Sequence, residues 1–297
     1  MPPDSSPLVK REHCACPLCG TDAPVATPYA EDGFAVVRCG GCRLWYLSPR
    51  LPEAAMIEAY RSETYFGGEG PKDGMAVAVG YDDYYDQADS LRATFRRLVR
   101  QMDRQGLTGG EVLEIGCGHG FFLEMAAPYF DRRSGTEFSP PAAARARQFA
   151  DHVWDGGIDA VPEGKRFDCI VAFHVIEHVY EPRDFMNKLM RHLKVGGHCV
   201  LAAPDMGSFW RRLMGARWPL FKYPEHVTFY DSATLSRLME EAGLGGLRAV
   251  PYPHAFPLSL ICRKLHLPVL PGLGDINIWL PGTTVAAAGT RMEETRP

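Results

Sequence analysis

The chain has 297 residues, 46% of them hydrophobic and 23% charged, a composition that is typical of a globular protein and excludes a fibrous or disordered one. Its 32 basic and 36 acidic residues give a formal charge of −4, so the chain lacks the basic surplus typical of proteins that bind nucleic acids. No secretory signal opens the chain and no run of about 18 apolar residues occurs, so we expect a cytoplasmic protein without a transmembrane segment.

Composition and periodicity divide the chain into four parts. We predict a loose tail over 1–12, a cysteine-rich unit over 13–50, a helical linker over 51–108 and an alternating strand–helix domain over 109–297. The linker is expected to hold helices over 53–60 and 81–102 with a glycine-rich loop over 67–80. In the last part, strands are predicted over 112–115, 133–137, 169–173, 198–203 and 283–288, and helices over 121–127, 142–150, 185–193 and 232–242. Strands that alternate with helices predict a mostly parallel α/β sheet.

Five of the nine cysteines lie within the first 42 residues. Cys16 and Cys19 form one C-x-x-C pair, and Cys39 and Cys42 form a second, a spacing typical of a four-thiolate zinc site. An apolar segment over 34–38 leads into the second pair, as in a zinc ribbon. Since four cysteines leave no open ligand position, we expect structural rather than catalytic zinc. The alternative is a reducible disulfide or redox pair.

A glycine-rich turn follows the predicted strand at 112–115. Glu114, Gly116, Gly118 and Gly120 form an E-x-G-x-G-x-G pattern. Glycines at the end of a parallel strand let a ligand lie against the backbone. Glu114 would repel a pyrophosphate but suits a cationic amino-acid head group, so the turn predicts a ligand other than a dinucleotide.

This pattern resembles motif I of the class I S-adenosylmethionine-dependent methyltransferases, and the resemblance covers about 81–292. It implies a Rossmann-like fold with a mostly parallel seven-stranded sheet, preceded here by the small zinc ribbon. It further implies that Glu114 reaches the methionine end of the cofactor, that Glu137 binds the ribose hydroxyls and that Phe138 lies beside the adenine. The cofactor-binding residues implied in this way are Glu114, Gly116, Cys117, Gly118, Gly120, Glu137, Phe138, Ile158 and His174.

The segment His174-Val-Ile-Glu177-His178 follows the predicted strand at 169–173. It is similar to the E-x-x-E-H segment of ubiquinone-biosynthesis O-methyltransferases, which is associated there with a divalent metal, although His174 stands in place of the first acid. A zinc or manganese site on His174, Glu177 and His178 is one interpretation. We favour His178 as a base or hydrogen-bonding group that faces the acceptor, with Glu177 as its partner. In the third interpretation, Glu177 and His178 only close the cleft and take no part in the chemistry.

A second histidine, His226, lies in a segment that resembles a P-x-H-x-x-x-F/Y element of zinc-ribbon methyltransferases. In this fold the connection after the fifth strand overhangs the acceptor, so His226 joins His178 and Glu177 as a catalytic candidate. A neutral imidazole, with an ordinary pKa of about 6.5, is suited to remove a proton during methyl transfer. The alternative is a loop histidine that only binds the backbone.

The favoured function is O-methylation of a small-molecule acceptor in natural-product, polysaccharide or related biosynthesis. C-methylation of a sugar or other carbon acid, RNA base methylation and a non-catalytic binding module are the alternatives. The negative net charge argues against RNA. The loop over 251–281 is interpreted as a cover for the acceptor, a partner contact or a dimer surface.

Overall fold

The computed structural model describes residues 10–61, 87–264, 268 and 276–293. Several predicted features lie outside these residues: most of the tail over 1–12, the loop over 67–80, the start of the helix over 81–102, and much of the loop over 251–281. No helix in the described part of the chain is long and apolar enough to cross a membrane.

The N-terminal region consists of four short strands and one helix. These are β1 (Pro24–Val25), β2 (Ala30–Glu31), β3 (Phe34–Cys39), β4 (Trp45–Leu47) and α1 (Glu53–Arg61). The strand predicted over 34–38 and the helix predicted over 53–60 are both observed. The turn from Cys39 to Cys42 joins β3 to β4, and the two strands are paired antiparallel.

The remainder of the chain alternates strands and helices. In chain order these are α2 (Ala88–Arg104), β5 (Glu111–Ile115), α3 (Phe121–Ala126), β6 (Arg132–Glu137), α4 (Pro140–Ala146), β7 (His152–Asp155), β8 (Phe167–Phe173), α5 (Pro182–His192), β9 (Leu193–Pro204), α6 (Phe209–Met214), β10 (Thr228–Phe229), α7 (Ser232–Glu241), β11 (Leu244–Ala249), β12 (His254–Pro257), α8 (Leu258–Lys264), β13 (Asn277–Leu280) and β14 (Thr284–Arg291).

A seven-stranded sheet forms the centre of the molecule, in the order β11-β14-β9-β8-β5-β6-β7. Strands β5 to β9 pair parallel with one another, and β14 runs antiparallel to both β9 and β11. The predicted mostly parallel seven-stranded sheet is therefore confirmed. Its central strands are nearly continuous apolar runs because helices cover both faces. The sequence did not predict β7 and β11, because neither segment shows a clear run or alternation of apolar residues.

Strand β10 belongs to the N-terminal sheet instead of the central one. It extends that sheet in the order β1-β3-β4-β10, with Thr228 opposite Tyr46 and Phe229 opposite Trp45. The cysteines of the first region and Tyr46 lie in the same buried cluster as Ile115 and Ile176. The two sheets thus share one core, an arrangement that the sequence did not predict.

The hairpin of β12 and β13 packs beside helix α2. The amide of Ala255 donates to the Thr94 hydroxyl (N–Oγ1 2.9 Å), and β12 and β13 are paired antiparallel. One face of α2, with Phe95, Leu98 and Met102, is buried against the central sheet. The hairpin is thereby fixed over the carboxyl edge of that sheet.

The turn between β5 and α3 is held by three glycines with positive φ: Gly116 (66°), Gly118 (51°) and Gly120 (80°). Other residues rarely adopt this conformation. His119 lies between two of these glycines, is 1% exposed and stacks on Phe121 with a centroid distance of 6.0 Å. Burial of the ring, with the charge of Arg145 as the smaller cause, lowers the pKa of His119 to about 4.

Replacing His119 with Gln should flatten the pH dependence of stability in mildly acidic solution. The folded-state pKa of His119 is about 4, and an unfolded histidine titrates at about 6.5, so between these values the unfolded state binds more protons. Wild-type stability should therefore fall as the pH falls through this window, by up to about 1.4 kcal/mol per pH unit more than in the variant. Urea unfolding across the window measures both slopes.

The exposed Gln148→Ala variant serves as the control and should keep the wild-type slope. Equal slopes in wild type and His119→Gln would contradict this prediction.

Candidate functional site

A cavity of about 630 Å³ lies at the carboxyl ends of β5, β6 and β8. Parallel strands end at one edge of a sheet, and open α/β sheets bind ligands at that edge. Helix α1, helix α2, the segment after β9 and the hairpin β12–β13 form the other walls. The cavity is therefore built from both the N-terminal region and the central sheet.

The glycine turn and Glu137 form one end of the cavity. The amides of Gly118 and Ser139 donate to the two carboxylate oxygens of Glu137, each over 2.8 Å. Burial raises the pKa of Glu137, and these backbone donors oppose that rise. Phe138 lines the cavity and approaches the backbone of Gly157, beside Ile158. Gly116, Gly118, Glu137, Phe138 and Ile158 are thus brought together as the sequence interpretation expects.

Three of the other expected cofactor residues, Glu114, Cys117 and Gly120, face away from the cavity. Glu114 is 4% exposed and does not line the cavity, and its Oε2 atom has no hydrogen-bond partner among the described residues. Burial, and secondarily the charge of Glu137, raises the pKa of Glu114 well above its ordinary value. The Cys117 side chain packs against Gly135, and Gly120 packs against Ala146, so both support the turn from behind.

His174 and Glu177 meet just beyond β8. His174 has a positive φ of 56°, and its Nδ1 atom lies 3.3 Å from Oε1 of Glu177. Glu177 is 1% exposed, and its other oxygen has no hydrogen-bond partner among the described residues. The His174 ring faces Tyr252 and His254, with centroid distances of 5.5 and 5.8 Å. His174 therefore lines the part of the cavity beneath the hairpin.

His178 and His226 form an imidazole pair, with ring centroids 4.8 Å apart. Nδ1 of His178 lies 3.0 Å from the Glu225 carbonyl oxygen, and Nδ1 of His226 lies 2.8 Å from the Leu220 carbonyl oxygen. A carbonyl can only accept, so we assign the ring proton to Nδ1 in both histidines, which leaves a lone pair on each Nε2. Burial lowers the pKa of His178 and lowers that of His226 well below its ordinary value, so both rings are neutral near pH 7.

The four predicted zinc ligands converge in the N-terminal region. Sγ of Cys16 lies 3.4 Å from Sγ of Cys42, and Sγ of Cys19 lies 3.5 Å from Sγ of Cys39. The amides of residues 41 and 42 also approach the Cys39 sulfur, at 3.3 and 3.4 Å. Four sulfurs within 4.8 Å of one another suit a tetrahedral metal ion, and none of the nine cysteines forms a disulfide.

A second group of metal-type ligands differs from the one that the sequence suggested. Glu177, His178 and His226 each place one donor atom within 4.8 Å of the others, whereas His174 is not part of this group. His174 points instead toward Tyr252 and His254. The set of His174, Glu177 and His178 therefore does not fit a single ion, and the convergent donors lie on Glu177, His178 and His226.

Sequence reasoning did not single out the residues of the hairpin wall. Tyr252, His254 and Phe256 line the cavity, and the ring of His254 stacks on Phe256 at 4.2 Å. Burial lowers the pKa of His254 to about 3. The only sign of this strand in the sequence was the alternation of the aromatic rings of His254 and Phe256. The strand that pairs with it, β13, begins only at Asn277, so the sequence did not reveal the hairpin.

A tyrosine of helix α1 also reaches the imidazole pair. The hydroxyl of Tyr60 lies 3.1 Å from Nδ1 of His178. Its ring meets that of His178 edge to face, with centroids 5.8 Å apart. The linker helix therefore contributes directly to the cavity.

The chain resembles known methyltransferases in sequence and in fold. A family model described as a methyltransferase domain matches residues 87–248, which is more than half of the chain. A protein of Mycolicibacterium smegmatis, named a probable S-adenosylmethionine-dependent methyltransferase, is 30% identical over 154 residues, covering 50% of this chain and 58% of that protein. The mitochondrial ubiquinone biosynthesis O-methyltransferase of Schizosaccharomyces pombe is 33% identical over 134 residues, covering 42% of this chain and 47% of that enzyme. The chain thus spans about half the length of these relatives.

Among solved structures, a methyltransferase of Thermotoga maritima superposes with a TM-score of 0.51 and 22% identity, covering 70% of this chain and 94% of that one. That protein is described as S-adenosylmethionine-dependent and as a possible histamine N-methyltransferase. At this identity the likeness concerns the fold. The family match over more than half of the chain shows that the chain belongs to the methyltransferase domain family.

Proposed function

We propose that this enzyme methylates a hydroxyl group of a small-molecule acceptor bound between the imidazole pair and the hairpin wall. The observation that carries the proposal is the pair of neutral imidazoles, His178 and His226, which line the same cavity as the glycine turn. Two relatives bear on it, since one is named an O-methyltransferase of ubiquinone biosynthesis and the other is named a probable S-adenosylmethionine-dependent methyltransferase.

The glycine turn and its neighbours form the proposed cofactor site. Each oxygen of the Glu137 carboxylate accepts one backbone N–H and keeps further acceptor capacity, which suits the two ribose hydroxyls. Phe138 and the backbone at Ile158 would flank the adenine. Glu114 is buried behind the turn and does not line the cavity, so we do not include it among the residues that contact the cofactor.

S-adenosylmethionine supplies a methyl group on a sulfonium that is already electrophilic, so much of the rate should come from alignment of the acceptor. In this proposal, the Nε2 atom of His178 or His226 accepts the proton of the acceptor hydroxyl. The charge that this creates on the imidazole is stabilised by the adjacent Glu177 carboxylate, which is 1% exposed.

C-methylation of a carbon acid is the second candidate. It is supported by the same two imidazoles, because abstraction of a proton from carbon needs a neutral base held close to the reacting atom. For any acceptor found by screening, the atom that carries the new methyl group in the product, oxygen or carbon, decides between the two reactions.

We further propose that Cys16, Cys19, Cys39 and Cys42 bind one structural Zn²⁺. The support is the convergence of the four sulfurs and the amides of residues 41 and 42 directed at the Cys39 sulfur. An ion at this place would fix the turn between β3 and β4. It would hold no acceptor, because all four positions of the tetrahedron are thiolates.

Replacing Glu137 with Gln should weaken binding of S-adenosylhomocysteine by about 10- to 100-fold, because charge-assisted hydrogen bonds to the ribose are lost. Isothermal titration calorimetry measures the affinity. The exposed Glu163→Gln variant makes the same chemical change outside the cavity and should bind like wild type. Wild-type protein that does not bind S-adenosylhomocysteine would refute the cofactor site.

The purified enzyme should contain about one Zn²⁺ per chain, as a closed four-cysteine site requires. Cys39→Ser should lose the metal, whereas Cys262→Ser, outside the cluster, should retain it. Elemental analysis of the purified variants measures the content. A wild-type protein without zinc, whose four clustered thiols react freely with iodoacetamide in the native state, would contradict the assignment.

A screen of hydroxylated acceptors for release of S-adenosylhomocysteine tests the reaction itself. With an acceptor found in this way, His178→Asn and His226→Asn should each lower turnover by about 10²- to 10⁴-fold, the usual contribution of a general base. Their affinity for S-adenosylhomocysteine should stay within about twofold of wild type.

The exposed His152→Asn variant, outside the cavity, is the control for this pair and should turn over normally. Equal loss of turnover and cofactor affinity, or no loss of turnover in either histidine variant, would show that the proton is removed elsewhere.

A further inference from the structure

We propose that Thr228 is a positioning residue for the imidazole pair of His178 and His226, and that through it the pair senses the metal state of the four-cysteine cluster. The second half of this proposal rests on the proposed zinc site. The first half concerns hydrogen bonds of the chain itself and stands without the metal.

The residues that follow His226 hold the turn that carries His178. The amide of Val227 donates to the Glu177 carbonyl oxygen over 2.9 Å. The hydroxyl of Thr228 donates to the Ile176 carbonyl oxygen over 3.1 Å, and Thr228 is 0% exposed. Two adjacent residues therefore attach the His226 segment to the single helical turn over Ile176–His178. The distance between the two imidazoles is set by these bonds.

The same two residues are attached to the N-terminal sheet on their other side. The amide of Leu47 donates to the Val227 carbonyl oxygen over 2.9 Å, and Thr228 lies opposite Tyr46 in the antiparallel pairing of β10 with β4. Val227 thus takes part in two backbone hydrogen bonds, one to each neighbour. A shift of β4 must move either the His226 segment or the turn that carries His178.

The position of β4 depends in turn on the cysteines. The second C-x-x-C pair is the turn between β3 and β4, and the Cys39 amide donates to the Leu44 carbonyl oxygen over 2.8 Å. Tyr46 is 0% exposed and lies in one buried cluster with Cys16 and Cys42. The path from the sulfurs to His226 is therefore short and consists of buried, hydrogen-bonded backbone. Packed interiors transmit such displacements because they have few voids.

The proposed cofactor end is held by different contacts. Its glycine turn is anchored by the pairing of β5 with β6 and by the bonds between Glu137 and residues 118 and 139. We therefore expect a disturbance at β4 to change the imidazole pair while cofactor binding persists. A purely structural role for the N-terminal sheet would affect both together.

The test compares Thr228→Val with Thr228→Ser in the full-length, metal-loaded protein. Valine keeps the shape but removes the hydroxyl, whereas serine keeps the donor to the Ile176 carbonyl. Long-range ¹H–¹⁵N spectra of ¹⁵N-histidine-labelled protein report the imidazoles of His178 and His226. Thr228→Val should shift or split the signals of both histidines, and Thr228→Ser should restore them. Affinity for S-adenosylhomocysteine should remain within about threefold of wild type in both variants.

A second arm uses the wild-type sequence, so it does not depend on whether Thr228→Val folds. Removal of zinc with a chelator should move the same two imidazole signals, and S-adenosylhomocysteine affinity should again change by less than about threefold. Restoring zinc should restore the spectrum.

Unchanged imidazole signals in Thr228→Val, or signals of Thr228→Ser that match those of Thr228→Val, would overturn the positioning role. Unchanged signals in metal-free protein, or loss of cofactor binding together with the signals, would overturn the link to the cluster. A wild-type protein without zinc would refute the proposed metal site and with it this link, and the Thr228 variants would still decide the positioning role.

Discussion

The two backbone hydrogen bonds of Val227 join the two sheets of this protein. Its amide binds the Glu177 carbonyl beside the central sheet, and its carbonyl accepts from the Leu47 amide of the N-terminal sheet. Buried peptide groups must be paired, so neither sheet can be displaced without leaving such a group unsatisfied. The cysteine-rich region is consequently part of the molecule's core, and the imidazole end of the cavity depends on its position.

Burial also determines the electrostatics of the cavity. It lowers the pKa values of His178, His226 and His254, so these imidazoles stay neutral in neutral solution. It raises the pKa values of Glu114 and Glu137 near the glycine turn. An acid held in this way is costly to ionise until a positive charge arrives. The cavity is thus lined by neutral imidazoles and by the Glu137 carboxyl, while Glu114 lies buried behind the glycine turn.

The match to the methyltransferase domain family and the lining of the cavity cover different parts of the chain. The family model spans residues 87–248, which include the glycine turn, Glu137 and the imidazole pair. Tyr60 of helix α1 and the hairpin residues Tyr252, His254 and Phe256 lie outside that span. The shared region supplies the proposed cofactor end and the imidazole pair. The other walls of the proposed acceptor site come from segments that precede and follow it.

The sequence by itself determined the features that depend on local spacing. The two C-x-x-C pairs predicted the cysteine cluster, and the E-x-G-x-G-x-G pattern predicted the turn after β5. Each of these motifs lies within a tight turn of a few residues, so its spacing can be recognised locally. Apolar runs predicted the central strands for the same reason, since a buried strand leaves a local pattern.

The tertiary structure alone decided which distant segments meet. His226 lies beside His178 because Val227 and Thr228, which follow it, donate hydrogen bonds to the turn that carries His178. His174 turns toward Tyr252 because the hairpin β12–β13 covers that side of the cavity. Strands of two to four residues carry too little periodicity to reveal a partner far along the chain. Burial and strand register, which act between segments, fixed these contacts.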